Sequence, residues 1–508
     1  MEPKASDKDR RNPALDIIRK GSVITIITLI SRPLGYIREA IQAYLFGATA
    51  LVDAFIVAFN FPELIQTLFF SGATSAFLIP VCTKYLNERE EYSRIYSTFI
   101  NISIILTLFV SLLFFVFSST VVRMIAPGFT EPAKVITNNL FLIMIPVISF
   151  HTVLSVMKAF LNAKEHFAAP ELSGILWNLF FIASAVLLGK ELGIYSLAIG
   201  VSAGSLAQII MQYPYLRKYG IRYHFTVDLK HPSVKTAQSL FTGALIATSI
   251  VPINSFVGRV IASYLPHGEV ASLSYAFRIF ILPFSLFAVP VYTVMFSKIS
   301  KLFHDRDLQG IRAHIDSSIV LMCVTLIPAT ILLCTTGDLC VKVLYERGAF
   351  TPADTAMTNR ALFGYGIGLI FYALSISFVR VFNAMHDMKT PALIGITSIA
   401  LNAIIASVLM VPFRNFGIAL ATSIVSLYNF CFLYAILKSR TGYSIARGAM
   451  RDIIKSLLAG IILTMAIVGA RRLLPGGLFV PLIISAFLTI VIYGIFFGSY
   501  YKKFLHRR

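Results

Sequence analysis

From about residue 21 to residue 500 the sequence falls into apolar runs, each about twenty residues long and separated by short polar connections. At a rise of about 1.5 Å per residue, such a run is what a helix needs to cross a ~30 Å hydrocarbon core. Inside lipid every backbone group must be satisfied within its own segment, so runs of this kind are helices. Fourteen are expected, centred near residues 32, 65, 108, 146, 177, 204, 248, 284, 322, 367, 401, 426, 462 and 488. No connection between them is long enough to hold a soluble domain. With 57% hydrophobic and 13% charged residues in 508, the soluble classes are excluded. The fold class is therefore an all-α polytopic membrane protein with 14 transmembrane helices.

The net charge of +20 would fit a nucleic-acid binder, but its distribution does not. With the N-terminus inside, thirty Lys and Arg fall in inside segments, nine in outside segments and five within spans. That asymmetry is the positive-inside pattern, and it places both termini in the cytoplasm. The basic excess is a topology signal, with attraction to anionic membrane lipids as a secondary effect and no nucleic-acid partner implied. The opening MEPKASDKDRRNPALDIIRKGSV is too polar and too long for a signal peptide and reads as a cytoplasmic tail.

The chain repeats itself. Asn162-Ala163 followed by Pro170, Leu172, Gly174 and Ile175 is matched by Asn383-Ala384 followed by Pro391, Leu393, Gly395 and Ile396, an offset of 221 residues throughout. The same offset relates Arg38 to Arg259 and Pro62 to Pro283, while Gly193-Ile194 finds Gly417-Ile418 at 224. A unit of six spans keeps both copies in the same orientation, so their pseudo-axis runs along the membrane normal. The expected organisation is a cytoplasmic tail (1–20), an N-lobe of spans 1–6 (21–220), a C-lobe of spans 7–12 (221–440), and two extra helices, spans 13 and 14, with the cytoplasmic C-terminus (441–508). A cavity between two such lobes is the natural site. Prolines inside spans, at Pro33, Pro62, Pro146, Pro252, Pro283, Pro290 and Pro328, permit bending.

Candidate site residues are charges placed where lipid should be. A charge at the bilayer centre costs about 2.5–3.5 kcal/mol on insertion scales, so it marks water, a partner or a ligand. Residues 30–78 carry Arg32, Arg38, Glu39, Asp53 and Glu63, with Pro33 and Gly35 between the two arginines. Arg32 and Arg38, six residues apart, do not share a face of an unbroken helix. A break at Pro33-Gly35 is expected to bring both inward. Arg278 lies five residues before Pro283 in span 8. Guanidinium groups stay charged and grip phosphate oxygens bidentately. Arg32, Arg38 and Arg278 together would suit a phosphate or diphosphate. Arg259 is an additional candidate, and Arg380 reads as snorkelling to the cytoplasmic side. Asp53 either caps its own helix or holds an arginine, Glu63 suits a wet cavity, and His151 reads as a hydrogen-bonded core residue. The cysteines Cys82, Cys323, Cys334, Cys340 and Cys431 form no CxxC pair and read as small core residues, with Cys334 and Cys340 near enough in sequence to meet. No Walker loop, GxSxG or HExxH is present, so an enzyme is not expected. No cofactor is implied, and energy would come from the membrane potential or from an ion such as sodium or chloride.

The run SRPLGYIREAIQAYLFG…VDAFIVAFNFPELIQTLFFSGATSAFLIP resembles the opening of the MurJ (MviN) lipid II flippases. So do Ala126-Pro127-Gly128-Phe129, YAFRIFILP at 275–283, ERGAFTPADT at 346–355 and HDMKTP at 386–391. The resemblance implies the MATE-like architecture of the polysaccharide and drug exporter superfamily. It also implies a substrate, the undecaprenyl-diphosphate-linked peptidoglycan precursor, moved from the inner to the outer leaflet of a bacterial cytoplasmic membrane for cell-wall synthesis. Cavity residues carried over are Ser31, Arg32, Gly35, Arg38, Asp53 and Arg278, and spans 13 and 14 resemble those lining a groove for the lipid tail. The chain departs from the pattern at Gln66 and Ser71, where relatives commonly carry an arginine and a glutamate. It departs also at Phe277 and Ile281, which replace carboxylates. Gly258 stands where some relatives have a sodium-binding aspartate, which leaves Asn383 and Asp387 as a weak sodium candidate, with Asp387 alternatively capping the next helix.

The expected function is alternating-access flipping of this lipid by a monomer, with the cell-wall synthesis machinery as a candidate partner. An inside-negative potential favours outward movement of an anion by roughly 2.3 kcal/mol per charge per 100 mV. The alternatives are a flippase for another polyprenyl-diphosphate oligosaccharide, a MATE-like ion-coupled small-molecule exporter, and a diverged paralogue that transports nothing.

Overall fold

The structure, a computed structural model, describes residues 13–68, 72–473 and 479–505. Among the described residues it is helical, with no strand. The first half holds α1 (Pro13–Phe46), α2 (Ala50–Gln66), α3 (Gly72–Thr83), α4 (Arg89–Val116), α5 (Ser118–Ile125), α6 (Glu131–Met144), α7 (Pro146–Ala163), α8 (Ala168–Leu192) and α9 (Tyr195–Lys218). The second half holds α10 (Pro232–Ala262), α11 (Glu269–Pro283), α12 (Val289–His304), α13 (Leu308–Tyr345), α14 (Pro352–Ile367), α15 (Leu369–Ala384) and α16 (Lys389–Thr441), followed by α17 (Arg447–Leu473) and α18 (Phe479–Leu505).

These helices are compatible with fourteen spans once the interrupted ones are joined. Pro146 opens α7 directly after the break at Ile145, as a residue without an N–H can at a helix start. A π-helical turn, Phe284–Ala288, links α11 to α12 just after Pro283. The 53-residue α16 holds two spans and kinks at Arg414. By length and apolarity alone, eight of the described stretches qualify as spans, and the α14–α15 pair, bent by 48°, adds a ninth.

The chain divides into two compact units. One comprises the residues up to Leu45, Ala54–Ile125 and Thr130–Pro252; the other comprises Phe46–Asp53, Ala126–Phe129 and Ile253–Arg508. In the first unit α7 packs on α3, α4 and α9, and Phe160 of α7 is fully buried against Tyr92 and Tyr96 of α4. The polar ridge Ser93, Ser97 and Asn101 of α4 repeats every four residues, one helical face. It binds the connection after α9: Arg222 N and His224 N donate to the Ser93 and Ser97 hydroxyls at 3.1 and 2.9 Å, and Asn101 Nδ2 donates to Thr226 O at 2.9 Å.

In the second unit α17 and α18 dock on α13. Val320 and Val324 of α13 are buried with Ala459, Leu463 and Ile467 of α17 and Tyr493 and Phe497 of α18. Polar contacts fix both ends of α17. The Arg471 guanidinium donates to both carboxylate oxygens of Asp338 at 3.1 and 2.6 Å. Just before α17, the Tyr443 hydroxyl donates to Asp316 at 2.6 Å. Spans 13 and 14 are thus packed on the core of their unit by apolar surface and ion pairing together.

The duplication is visible in the backbone. Glu165 and His386, 221 residues apart, are both left-handed, with φ of 58° and 59°. Around them the bonding is the same: Glu165 N to Asn162 O and His166 N to Leu161 O in one copy, His386 N to Asn383 O and Asp387 N to Phe382 O in the other. Gly47 and Gly268, also 221 apart, have φ of 63° and 84°. At the late match the structure corrects the sequence alignment. Gly193 (φ 55°, ψ −135°) has its conformational counterpart in Arg414 (φ 53°, ψ −132°), at 221 residues, and not in Gly417 at 224. Gly417 is a glycine for a different reason: a Cβ there would run into the backbone of Leu409.

Two other expectations are corrected. Helix α1 runs without interruption through Pro33 and Gly35, so the expected break is absent. A proline removes one intrahelical bond but does not by itself end a long helix, and apolar surroundings in a membrane penalise unwinding. All five cysteines are free thiols, so Cys334 and Cys340 are not joined.

Candidate functional site

Because α1 is unbroken, six residues at about 100° each place Arg32 and Arg38 about 120° apart around it. They are not brought together. Arg32 is exposed and Arg38 half-buried. Ser31, seven residues before Arg38, lies on the Arg38 side and faces Gly174 of α8. Gly35 has open space around it, and nothing within 4 Å would meet a Cβ there.

Arg38 sits in a built pocket within the first unit. Its Nη2 donates to Glu39 Oε1 at 2.5 Å and its Nη1 to Asn178 Oδ1 at 3.3 Å. The guanidinium lies 4.8 Å from the centre of the Trp177 ring and 5.4 Å from that of Phe181. A planar cation between an aromatic face and a carboxylate is held in one orientation, and charge-assisted bonds of this kind are the strong ones. Asn178 is itself oriented by donating to Gly174 O at 3.0 Å. Asn178, Trp177 and Phe181 escape a reading of charges alone. The one signal was that Trp177 is the only tryptophan in the chain.

In the second unit Arg278 is exposed on α11. The neighbouring Phe277 packs its ring on Phe280 and Tyr365 at 5.6 and 5.5 Å between centres. Arg259 of α10 is half-buried. Arg380 is exposed, 5.7 Å over the Tyr292 ring.

Asp53 takes neither role expected of it. It is 2% exposed, and its two carboxylate oxygens accept from Gly268 N at 2.5 Å and Ala271 N at 2.7 Å. The N-cap position of α11 is Gly268, in the left-handed conformation and with no side chain to offer. The free amides of that helix start therefore bind a carboxylate from another helix, 215 residues away in sequence. Gly268 is required there, since a Cβ would collide with the Ala48 carbonyl. Next to it, Glu269 is buried, accepts from Asn415 N at 3.1 Å and lies 3.8 Å from Arg414.

Glu63 and Gln66 are half-buried on α2, and Ser71 lies outside the described residues. His151 is buried and bonded through Nε2 to Ser205 Oγ at 2.8 Å, the core arrangement its surroundings imply. Of the sodium pair, Asp387 accepts from Thr390 N at 3.0 Å, from the Thr390 hydroxyl at 2.6 Å, and from Arg440. It caps α16. Desolvation opposes ionisation of Asp387, but the Thr390 donors and Arg440 outweigh it and hold the carboxyl below its ordinary range. Among the described residues no cluster of three or more His, Cys, Asp or Glu could hold a metal ion.

Known proteins share this arrangement of helices. A lipid II flippase MurJ solved in an inward closed conformation superimposes with a TM-score of 0.82 at 26% identity, covering 95% of this chain and 99% of that one. An inward-facing multidrug resistance MATE family transporter of the MOP superfamily matches with a TM-score of 0.69 at 11% identity, which shows a shared fold. In sequence, the chain is 28% identical over 468 residues to the probable lipid II flippase MurJ of Vibrio cholerae, covering 89% of this chain and 88% of that protein. It is 26% identical over 459 residues to the lipid II flippase MurJ of Burkholderia cenocepacia, covering 88% and 89%. The family model described as "Lipid II flippase MurJ" matches residues 42–489, and the chain belongs to that family.

Proposed function

We propose that this protein is a flippase that carries a polyprenyl-diphosphate-linked peptidoglycan precursor, lipid II, from the inner to the outer leaflet of the bacterial cytoplasmic membrane. The observation that carries the reading is the family match over residues 42–489, on a helical fold shared with a solved MurJ. The exporter alternative needs cavity carboxylates to take up a cation. Asp53, Glu269 and Asp387 instead bind backbone amides.

In this proposal Arg32, Arg38 and Arg278 contact the diphosphate. The exposure of Arg32 and Arg278 supports their contact with an anion. The stacking of Arg38 on Trp177 supports a fixed orientation. Glu39 competes for Arg38 and must be outbid by the incoming phosphate. Ser31, Gly35, Arg259, Gln66 and Glu63 are proposed to line the same path. The distribution of Lys and Arg supports both termini lying in the cytoplasm, and the protein is taken to act as a monomer, alongside the enzymes that polymerise its product. The membrane potential supplies the drive for an anionic cargo, with no bound sodium needed.

Complementation tests the reading. In cells depleted of their own lipid II flippase, the wild-type chain is expected to restore growth and shape, while Arg32→Ala and Arg278→Ala, expressed at equal levels, are not. Rescue by both variants would sink the arginine mechanism. Failure of a well-expressed wild type would exclude lipid II as the cargo.

A further inference from the structure

The opening of α17 carries a feature that the flippase reading does not use. Arg447, Arg451 and Lys455 recur every four residues, as do Met450, Ile454 and Leu458, so the two rows run side by side on one face of the helix. With Ile445 they line a groove of about 500 Å³. All three cations are exposed, and among the described residues none of them makes an ion pair or a side-chain hydrogen bond. Other cations nearby are engaged: Arg440 with Asp387, and Arg312 with the Thr441 carbonyl. The acidic side chain next to the row, Asp452, is one residue out of register, about 100° around the helix from Arg451.

Above the cations the same helix stays apolar and open. Leu458 is 51% exposed, Ile461 57% and Met465 62%. At 27 residues α17 is about 40 Å long against a hydrocarbon core of about 30 Å, so its first turns lie at headgroup level. A ligand that fits has a phosphate at the level of the cations and one or more alkyl chains running along the helix.

We propose that this groove is a binding site for an anionic phospholipid of the leaflet that faces the start of α17. The cations take the phosphate and Met450, Ile454 and Leu458 take the upper part of an acyl chain. The opposite face of α17 packs on α13 and α18, so the lipid bound here sits against the helix pair that completes the second unit. The site goes beyond the transport reading and does not depend on it.

Native mass spectrometry on the full-length protein, titrated with phosphatidylglycerol or phosphatidylcholine, tests the proposal. Saturable retention of phosphatidylglycerol is expected. The triple variant Arg447→Gln, Arg451→Gln, Lys455→Gln should weaken it by about tenfold or more and leave phosphatidylcholine unchanged. The charge-keeping variant Arg447→Lys, Arg451→Lys should bind within about twofold of wild type. If the triple variant does not purify as a folded species, the single Lys455→Gln is compared and should lose about threefold. Equal retention of the two lipids, or no loss in whichever glutamine variant is measured, would overturn the proposal. So would competition by inorganic phosphate, which would mark a plain anion site, or by a polyprenyl diphosphate, which would mark a station on the substrate's path.

Discussion

Arg38 and Glu39 are neighbours in sequence, and their pairing decides what each can do. The side chains are 12% and 11% exposed, so removing one partner strands a charge in a poorly solvated place. Breaking such a pair costs about 3–5 kcal/mol, whereas removing both costs much less. Arg38→Ala is therefore expected to lower the thermal stability of the purified protein more than Arg38→Ala/Glu39→Ala does. Equal losses would show that the pair is not coupled. Asp387 offers a pH-dependent counterpart outside the spans. Its carboxyl is held below the ordinary range, so its contribution is present above the ordinary aspartate pKa of about 3.9 and is lost as pH falls through the lower folded value. The difference in melting temperature between wild type and Asp387→Asn should be constant near neutral pH and should vanish in acid. A difference that grows on acidification would reverse the sign and refute the capping account. The charges of α1 and α2 were legible from sequence because charge in an apolar run is costly. Their partners were not: Asn178 is 140 residues from Arg38 and Gly268 is 215 from Asp53, and no local pattern encodes pairings at that distance.

At the scale of elements, apolar length gave the helices, and the 221-residue identities gave the repeat. The breaks were harder. Proline was a poor guide, since α1 passes through Pro33 unbroken while α16 kinks at Arg414, two residues after Pro412. The kink follows from the repeat: Arg414 inherits the backbone of Gly193, a conformation that a side chain rarely adopts. Among the described residues its charged partner is Glu269, 3.8 Å away. Arg414→Gly is accordingly expected to raise stability, by about 1 kcal/mol, in thermal unfolding of the detergent-purified protein. A loss of stability would mean that the arginine's charge next to Glu269 outweighs the strain. The docking of α17 and α18 on α13 was illegible in a different way. Apolar faces in a membrane chain look alike whether they meet lipid or protein, and the polar pairs that mark the contact, Arg471 with Asp338 and Tyr443 with Asp316, lie more than a hundred residues apart in sequence.

For the whole molecule, composition and the positive-inside asymmetry were enough to place the chain in a membrane, and the family motifs were enough to suggest a cargo. Residues alone could not choose the cargo, because a diphosphate is all that three arginines describe. Asp53, Glu269 and Asp387 accept from backbone amides, which is why the account takes an anionic cargo driven by potential over cation-coupled exchange. The most direct test follows the lipid itself. In cells whose only flippase is this protein, the fraction of headgroup-labelled lipid II open to a membrane-impermeant reagent on the outer face can be measured. The account predicts that this fraction is maintained with the wild-type chain and collapses with Arg278→Ala. Lipid II accumulating on the inner face despite abundant wild-type protein would contradict it.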